Sequence, residues 1–281
     1  MMLLTRRFIW RAGRRLYMGA RKDEPNHISS NGELRLQGLA AERLRPGSRL
    51  VVFDVGARIG EWSKGIVDLA SKRAQGYEIH AFEPVPESRL VLEKSFRSQI
   101  ENREVRVNPI GVSNAVGSFP MYVPHHTAGT STLHPDGNVR YEQVLQVGTT
   151  TIDRYCVENS IEHIDLLKVD TEGHDLRVIE GALQNLRSGR VGLLQFEYNH
   201  RWIYSRTFLR DVFELARGTP YRIAKVCSNA LEIYVEWHPE LERFFETNFA
   251  LVHERLIDEL ECKVLKIGRG NACEAALAAV G

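Results

Sequence analysis

The sequence has almost no net charge, no apolar run long enough to cross a bilayer, and no cysteine pair at metal-binding spacing. It holds 37 Lys and Arg against 36 Asp and Glu, a formal charge of +1. That provides no global field to gather nucleic acid; binding RNA or DNA would need a local patch, and only the N-terminus offers one. No apolar stretch reaches the roughly 18–20 residues of a membrane helix. No apolar segment is followed by a small-residue cleavage site, so the expected location is the cytoplasm, with at most a peripheral contact at the inner membrane face. Cys156, Cys227, Cys262 and Cys273 are scattered without C-x-x-C spacing. This argues against a zinc or redox motif and suits a reducing compartment. Pro/Gly low complexity is absent, and 43% hydrophobic with 26% charged residues is ordinary globular usage.

What is present divides the 281 residues into a basic segment with a linker (1–48) and one main domain (49–281). Residues 1–22 carry seven basic residues and no acid. Leu4, Phe8, Ala12 and Leu16 recur every four positions, which predicts an amphipathic helix weakened by Gly13. The favoured reading is a helix packed on the main domain as a cap; the alternative is a foot on an anionic membrane surface. Residues 23–48 read as a linker with a short helix around Leu34–Leu44.

From Arg49 onward strands alternate with helices. Arg49–Val55, Tyr77–Phe82, Val105–Ile110, Ile164–Val169 and Val191–Phe196 read as strands, followed by a hairpin-like pair in 221–237 and a helical stretch from about 239. Such alternation implies right-handed βαβ crossovers and a Rossmann-like, mostly parallel sheet with helices on both faces. Ligands bind such sheets beyond the carboxyl ends of the strands. Asp54, Glu83, Asp170 and Glu197 stand at four of those ends. Residues 121–150 interrupt the alternation as a hairpin with a polar loop, read as a substrate lid. Its His125 and His126, with Glu197 and His200, are candidate acceptor contacts. Thr150-Thr151-Ile152-Asp153 resembles a capping box opening a short helix.

Three motifs carry chemistry. The first, Phe53-Asp54-Val55-Gly56-Ala57-Arg58-Ile59-Gly60, has D-x-G-x-x-x-G spacing. A dinucleotide loop wants G-x-G-x-x-G; here Arg58 would obstruct a pyrophosphate, so the loop suits a nucleoside without phosphates, chiefly S-adenosylmethionine. The second, His80-Ala81-Phe82-Glu83-Pro84, places a carboxylate one βαβ unit further on, as a ribose contact requires. The third runs from Asp165 through Asp170-Thr171-Glu172-Gly173-His174 to Ala182.

FDVGARIG, AFEP, LLKVDTEGHDLRVIEGA and LLQFEYN together resemble the FkbM family of class I methyltransferases over roughly residues 49–200. The resemblance implies an S-adenosylmethionine-dependent enzyme that usually methylates a hydroxyl, on acceptors such as macrolides and the sugars of glycolipids and glycans. It implies a seven-stranded sheet whose last strand is antiparallel, which the pair at 221–237 would supply. Asp54, Gly56 and Gly60 match the cofactor loop and Glu83 the ribose carboxylate, while Gly111, Val112 and Ser113 fall where class I enzymes hold the adenine. Asp170, Glu172 and Gly173 match the motif beside the methyl group. His174 stands where relatives have a small or apolar residue, so its candidacy as a base rests on location and on histidine's pKa. The expected enzyme needs no metal; the lesser reading puts Mg²⁺ on Asp170, Glu197 and Asn199. Two other functions stay in view: an N-methyltransferase of a small amine, and a non-catalytic binding module, against which the intact glycines and Glu83 argue. The absence of an N/D-P-P-Y-like motif after the fourth strand disfavours a nucleic-acid substrate.

Overall fold

The fold is seen in a computed structural model that describes residues 2–24, 26–42, 48–73, 75–124 and 129–276. His125 and His126, named above as acceptor contacts, lie outside the described residues. The first half contains α1 (Met2–Ala20), α2 (Glu33–Glu42), β1 (Leu50–Val55), α3 (Glu61–Arg73), β2 (Tyr77–Phe82), α4 (Pro86–Ser95), α5 (Arg97–Glu101), β3 (Val105–Asn108), β4 (Gly111–Val112), β5 (Gly117–Val123) and β6 (Gln143–Thr150). The second contains α6 (Ile152–Glu158), β7 (Ile164–Val169), α7 (Asp175–Glu180), α8 (Leu183–Arg187), β8 (Val191–Tyr198), α9 (Trp202–Ser205), α10 (Leu209–Ala216), β9 (Tyr221–Val226), β10 (Leu231–Tyr234), β11 (Thr247–His253), β12 (Lys263–Ile267) and β13 (Cys273–Ala275).

The apolar runs become strands covered on both faces; every residue of β8 is buried. Helices pack on either side and give two core clusters, one around Phe196 and Trp202, the other around Ile66 and Leu92. The large sheet has the order β13-β12-β10-β9-β11-β8-β7-β1-β2-β3. Strands β3, β2, β1, β7 and β8 are parallel. Strand β11 runs antiparallel to both β8 and β9, so seven strands with one reversed stand at the centre, as in a class I methyltransferase.

Two expectations need correction. The reversed strand is β11 rather than the 221–237 pair, and β10 is instead the outer arm of a hairpin with β9. Residues beyond 239 hold β11, β12 and β13 in place of the expected helix. The cause is visible in β11, where Asn248 to Val252 are all buried; a continuous apolar run in a two-sided strand looks like a buried helix to periodicity alone. The run from Leu176 to Leu186 forms two short helices, α7 and α8, with a break between them. Gly181 lies at the break, where a Cβ would come within 2.1 Å of the Ser113 carbonyl oxygen.

The N-terminal helix is held on the main domain, with the Arg14 guanidinium over Phe245 at 5.1 Å and Tyr17 donating to Glu240 at 3.0 Å, but its apolar stripe takes no part in that packing. Phe8, Ile9 and Leu16 of α1 are exposed, so their burial does not hold the helix down. Side-chain burial in this part of the chain falls to α2, which buries Leu36, Gln37, Ala40 and Ala41.

The hairpin expected in 121–150 is present. β5 and β6 pair from Gly117↔Thr149 to Val123↔Gln143, with β4 beside β6. Thr151 caps α6 by accepting the Arg154 N–H at 3.0 Å. The chain leaves β3 for this hairpin and returns at β7 beside β1, so the switch point lies between β1 and β7, where the carboxyl ends open a crevice.

Candidate active site

Gly56 starts the crevice. Its φ is +83°, and a Cβ there would lie 1.9 Å from the Asp170 carbonyl oxygen. The Asp170 N–H donates to Val55 O at 3.0 Å, so the loops after β1 and β7 are locked together. Gly60 (φ +88°) ends the first loop against Phe96 and Leu92. Its need for glycine comes from packing within the protein.

The result is a cleft beside these two loops. Its walls include Gly56, Arg58, Glu83, Gly111, Val112, Asp170, Thr171, Glu172 and His174. Thus most of the residues singled out in the sequence are brought together. Asp54 is not at the surface of the cleft. It is fully buried, accepts the Ser63 hydroxyl at 2.7 Å and lies 3.5 Å from the Lys168 ammonium. Ser113 is behind the wall, hydrogen-bonded to His174 at 2.9 Å. Glu197 is buried behind the wall and accepts from Asn26 at 2.9 Å. His200 is exposed on the turn after β8. Asn199 Oδ1 accepts the Arg201 N–H at 2.8 Å. Among the described residues, no three His, Cys, Asp or Glu side chains converge as a metal-holding group.

Glu83 ends β2 with its carboxylate held by the N–H groups of Arg58 and Val85, each at 2.8 Å. Burial nevertheless pushes its pKa up to about 7, against those two hydrogen bonds. The opposite wall is a cluster of acids. Burial and the charge of Asp170 raise Glu172 to about 8, with Arg201 opposing the rise from 2.6 Å. The same causes, in the same order, raise Asp175 to about 7, and Glu197 well above its ordinary range, with Glu172 adding to the latter. Lys168 lies 3.2 Å from Asp170 and 3.5 Å from Asp54. Its own burial would lower its pKa, but the two carboxylates override that and raise it. Glu172 itself has a left-handed backbone (φ +54°), followed by Gly173 at +95°; this tight turn stores local strain of the kind found at functional sites.

His174 is buried between two partners, Ser113 Oγ and His134 Nε2, each at 2.9 Å. Burial, then His134 and Arg177, lowers its pKa to about 3. His134 comes from the loop between β5 and β6, which is seated on the third motif by the Thr132 hydroxyl donating to Glu172 O at 2.8 Å. His134 and Thr171 are functional candidates that sequence reasoning missed. Thr171 lines the cleft, and its hydroxyl is buried without a hydrogen-bond partner. An orphaned polar atom is costly unless something fills its need, so this wall fits a polar ligand.

The sequence profile described as "Methyltransferase FkbM domain" matches residues 54–253, well over half of the chain. The chain belongs to the FkbM methyltransferase family. Two curated relatives align with it. The methyltransferase sdnD of Sordaria araneosa is 30% identical over 47% of this chain and 60% of its own length. The 31-O-demethyl-FK506 methyltransferase FkbM of Streptomyces tacrolimicus is 28% identical over 50% of this chain and 61% of its own. The chain therefore spans about three fifths of the curated relatives it matches. A solved methyltransferase FkbM from Methylobacillus flagellatus KT has 17% identity and a TM-score of 0.46, covering 75% of this chain and 45% of that one.

The buried acids of this FkbM methyltransferase give it a pH signature. Each raised carboxyl prefers its proton in the folded state, so it withdraws stability as pH climbs from its ordinary value near 4 towards its folded one. The histidines pull the other way: His80 (lowered by burial to about 4) and His174 must stay neutral when folded, so they withdraw stability below about pH 6.5. Above that pH only the carboxyls act. The Tm of the ligand-free protein should fall from about pH 6.5 towards about pH 8.5. A Tm that rises across that interval in scanning fluorimetry contradicts the buried acid cluster.

Proposed function

We propose that this methyltransferase uses S-adenosylmethionine to methylate a hydroxyl oxygen of a natural-product, sugar or glycolipid acceptor. The observation that carries the reading is the pairing, across one switch-point cleft, of Glu83 on one wall with Asp170, Thr171 and Glu172 on the other. Glu83 would take the ribose hydroxyls with the lone pairs its two N–H donors leave free. Val112, with Met121 and Val147 from the hairpin, offers the apolar wall an adenine needs. When bound, S-adenosylmethionine supplies an activated sulfonium methyl for in-line displacement by the acceptor.

This chain's residues would align the acceptor and take its proton. Glu172 is the better base on physical grounds: with its pKa raised to about 8 its ionised form is a stronger base than an ordinary carboxylate, although only a minor fraction is ionised at neutral pH. His174, lowered to about 3 and bonded through both ring nitrogens, is a weak base and serves to hold the lid through His134. Asp170 would place the acceptor hydroxyl. No metal takes part in this reading, since Glu197 is held by Asn26 and Asn199 caps a turn. The similarity to a relative named for a 31-O-demethyl acceptor supports oxygen as the methylated atom. We also take the protein as cytoplasmic, without a nucleic-acid partner, and residues 1–22 as a peripheral contact with the inner membrane face.

The test is transfer of labelled methyl from S-adenosylmethionine to paired acceptors bearing either a hydroxyl or an amine, with EDTA in a parallel arm. Label on oxygen that survives EDTA is the expected result. Label confined to amines, or activity lost to EDTA and restored by Mg²⁺, overturns the respective part.

A further inference from the structure

The amphipathic pattern of α1 faces away from the protein. At 100° per residue, Phe8, Ile9, Ala12 and Leu16 share one side of the helix. Phe8 is 73% exposed, Ile9 63% and Leu16 76%. Arg7, Arg11 and Arg15 form the adjoining strip, and the helix contains no acid in its first turn or elsewhere. The side that meets the domain is a different one. There the Arg14 guanidinium stacks over Phe245 at 5.1 Å, Tyr17 donates to Glu240 at 3.0 Å, and Arg243 lies over the Tyr17 ring at 5.5 Å.

The C-terminal end of α1 is firmly fixed. Arg21 donates to Glu240 and to Asn271 O. Lys225 bonds both Arg21 O and Asp23, Arg243 also pairs with Asp23, and Lys22 pairs with Glu232. Lys225 lies near the carboxyl end of β9, and Phe245 just precedes β11, which runs the opposite way. The anchor thus sits at the edge of the sheet on which the cleft opens. Three residues beyond the anchor, Asn26 bonds Glu197 behind the cleft wall.

A solvent-facing apolar strip flanked by arginines is what an interfacial helix presents to a lipid headgroup layer. Among the described residues, no helix is long and apolar enough to cross a membrane. We infer that α1 docks on an anionic lipid surface through Phe8, Ile9 and Leu16, with Arg7, Arg11 and Arg15 on the headgroups, and so brings the cleft's edge of the sheet to the membrane. This rests on the membrane contact assigned to residues 1–22 and specifies its face, its lipid charge and the orientation it imposes.

The experiment is co-sedimentation of the full chain with vesicles of phosphatidylglycerol and phosphatidylcholine in equal parts, and with phosphatidylcholine alone. The protein should pellet with the anionic vesicles, and release as salt rises. Phe8→Asp with Leu16→Asp should weaken binding at least about tenfold. Arg7→Gln with Arg11→Gln should weaken it about fivefold per arginine. These side chains are exposed, so Tm should not change; transfer to a soluble acceptor without vesicles should also persist, and its failure would indict the proposed function and not the docking. Equal binding to neutral vesicles, no binding at all, or binding unaffected by Phe8→Asp with Leu16→Asp overturns the inference. So does a dimer in light scattering that the same pair dissolves, which would make a second copy the occupant.

Discussion

Asp170→Asn should lower kcat by at least about tenfold while leaving S-adenosylmethionine affinity within about twofold. Asp170 is the most exposed acid of the cluster on the cleft wall, at 34%, and we propose that the acceptor enters beside it. Its charge also acts at a distance, because after burial it is the largest cause of the raised pKa values of Glu172 and Glu197. Removing it should lower Glu172's pKa, so the acid limb of the kcat profile should move to lower pH. A residue of merely structural importance would cost activity without moving that limb. Glu172→Gln should be at least as damaging, since it removes the proposed proton acceptor, while His174→Ala should cost less and act through the lid. Lys168 keeps Asp54 as a partner in Asp170→Asn, so the fold should survive. Full activity in Asp170→Asn, at unchanged Tm, would show that the active centre lies elsewhere.

Gly56→Val should abolish cofactor binding within any practical concentration range and destabilise the protein. The new Cβ would lie 1.9 Å from the Asp170 carbonyl oxygen, at a φ of +83°. The left-handed backbone alone costs a side chain about 1–2 kcal/mol. The clash is with rigid backbone, so the loops after β1 and β7 must part, and with them the two walls of the cleft. Thermal unfolding and titration with S-adenosylmethionine read the two effects separately. Normal titration at normal Tm would mean that the two loops need not touch for the cofactor to bind.

The sequence displayed the parts of the site that are local. Gly56, Glu83 and Asp170 could be placed because each follows a short apolar strand, and strand ends in an alternating α/β chain share one edge of the sheet. It displayed poorly what depends on contacts between distant segments. Lys168 sits in the middle of LLKVD, and a lysine inside an apolar strand signals a buried countercharge; the partner, Asp54, lies on the neighbouring strand. Asn26, which holds Glu197, sits in a linker without pattern. His134 was one polar residue among many in a loop, and only the closure of that loop onto the third motif brings it to His174. The glycines were legible as necessary, but for an incomplete reason: Gly56 and Gly60 are needed by the protein's own packing. Strand β11 escapes detection by periodicity because a strand covered on both faces has no alternation to show.

The central claim is that the crevice between β1 and β7 holds S-adenosylmethionine with Glu83 on its ribose. Isothermal titration of the wild-type protein and of Glu83→Ala tests it most directly. One molecule should bind per chain, and the loss of charge-assisted hydrogen bonds worth about 1.5–3 kcal/mol should weaken binding roughly tenfold to a hundredfold in the variant. No binding to the wild-type protein, or equal affinity in folded Glu83→Ala, would contradict the account.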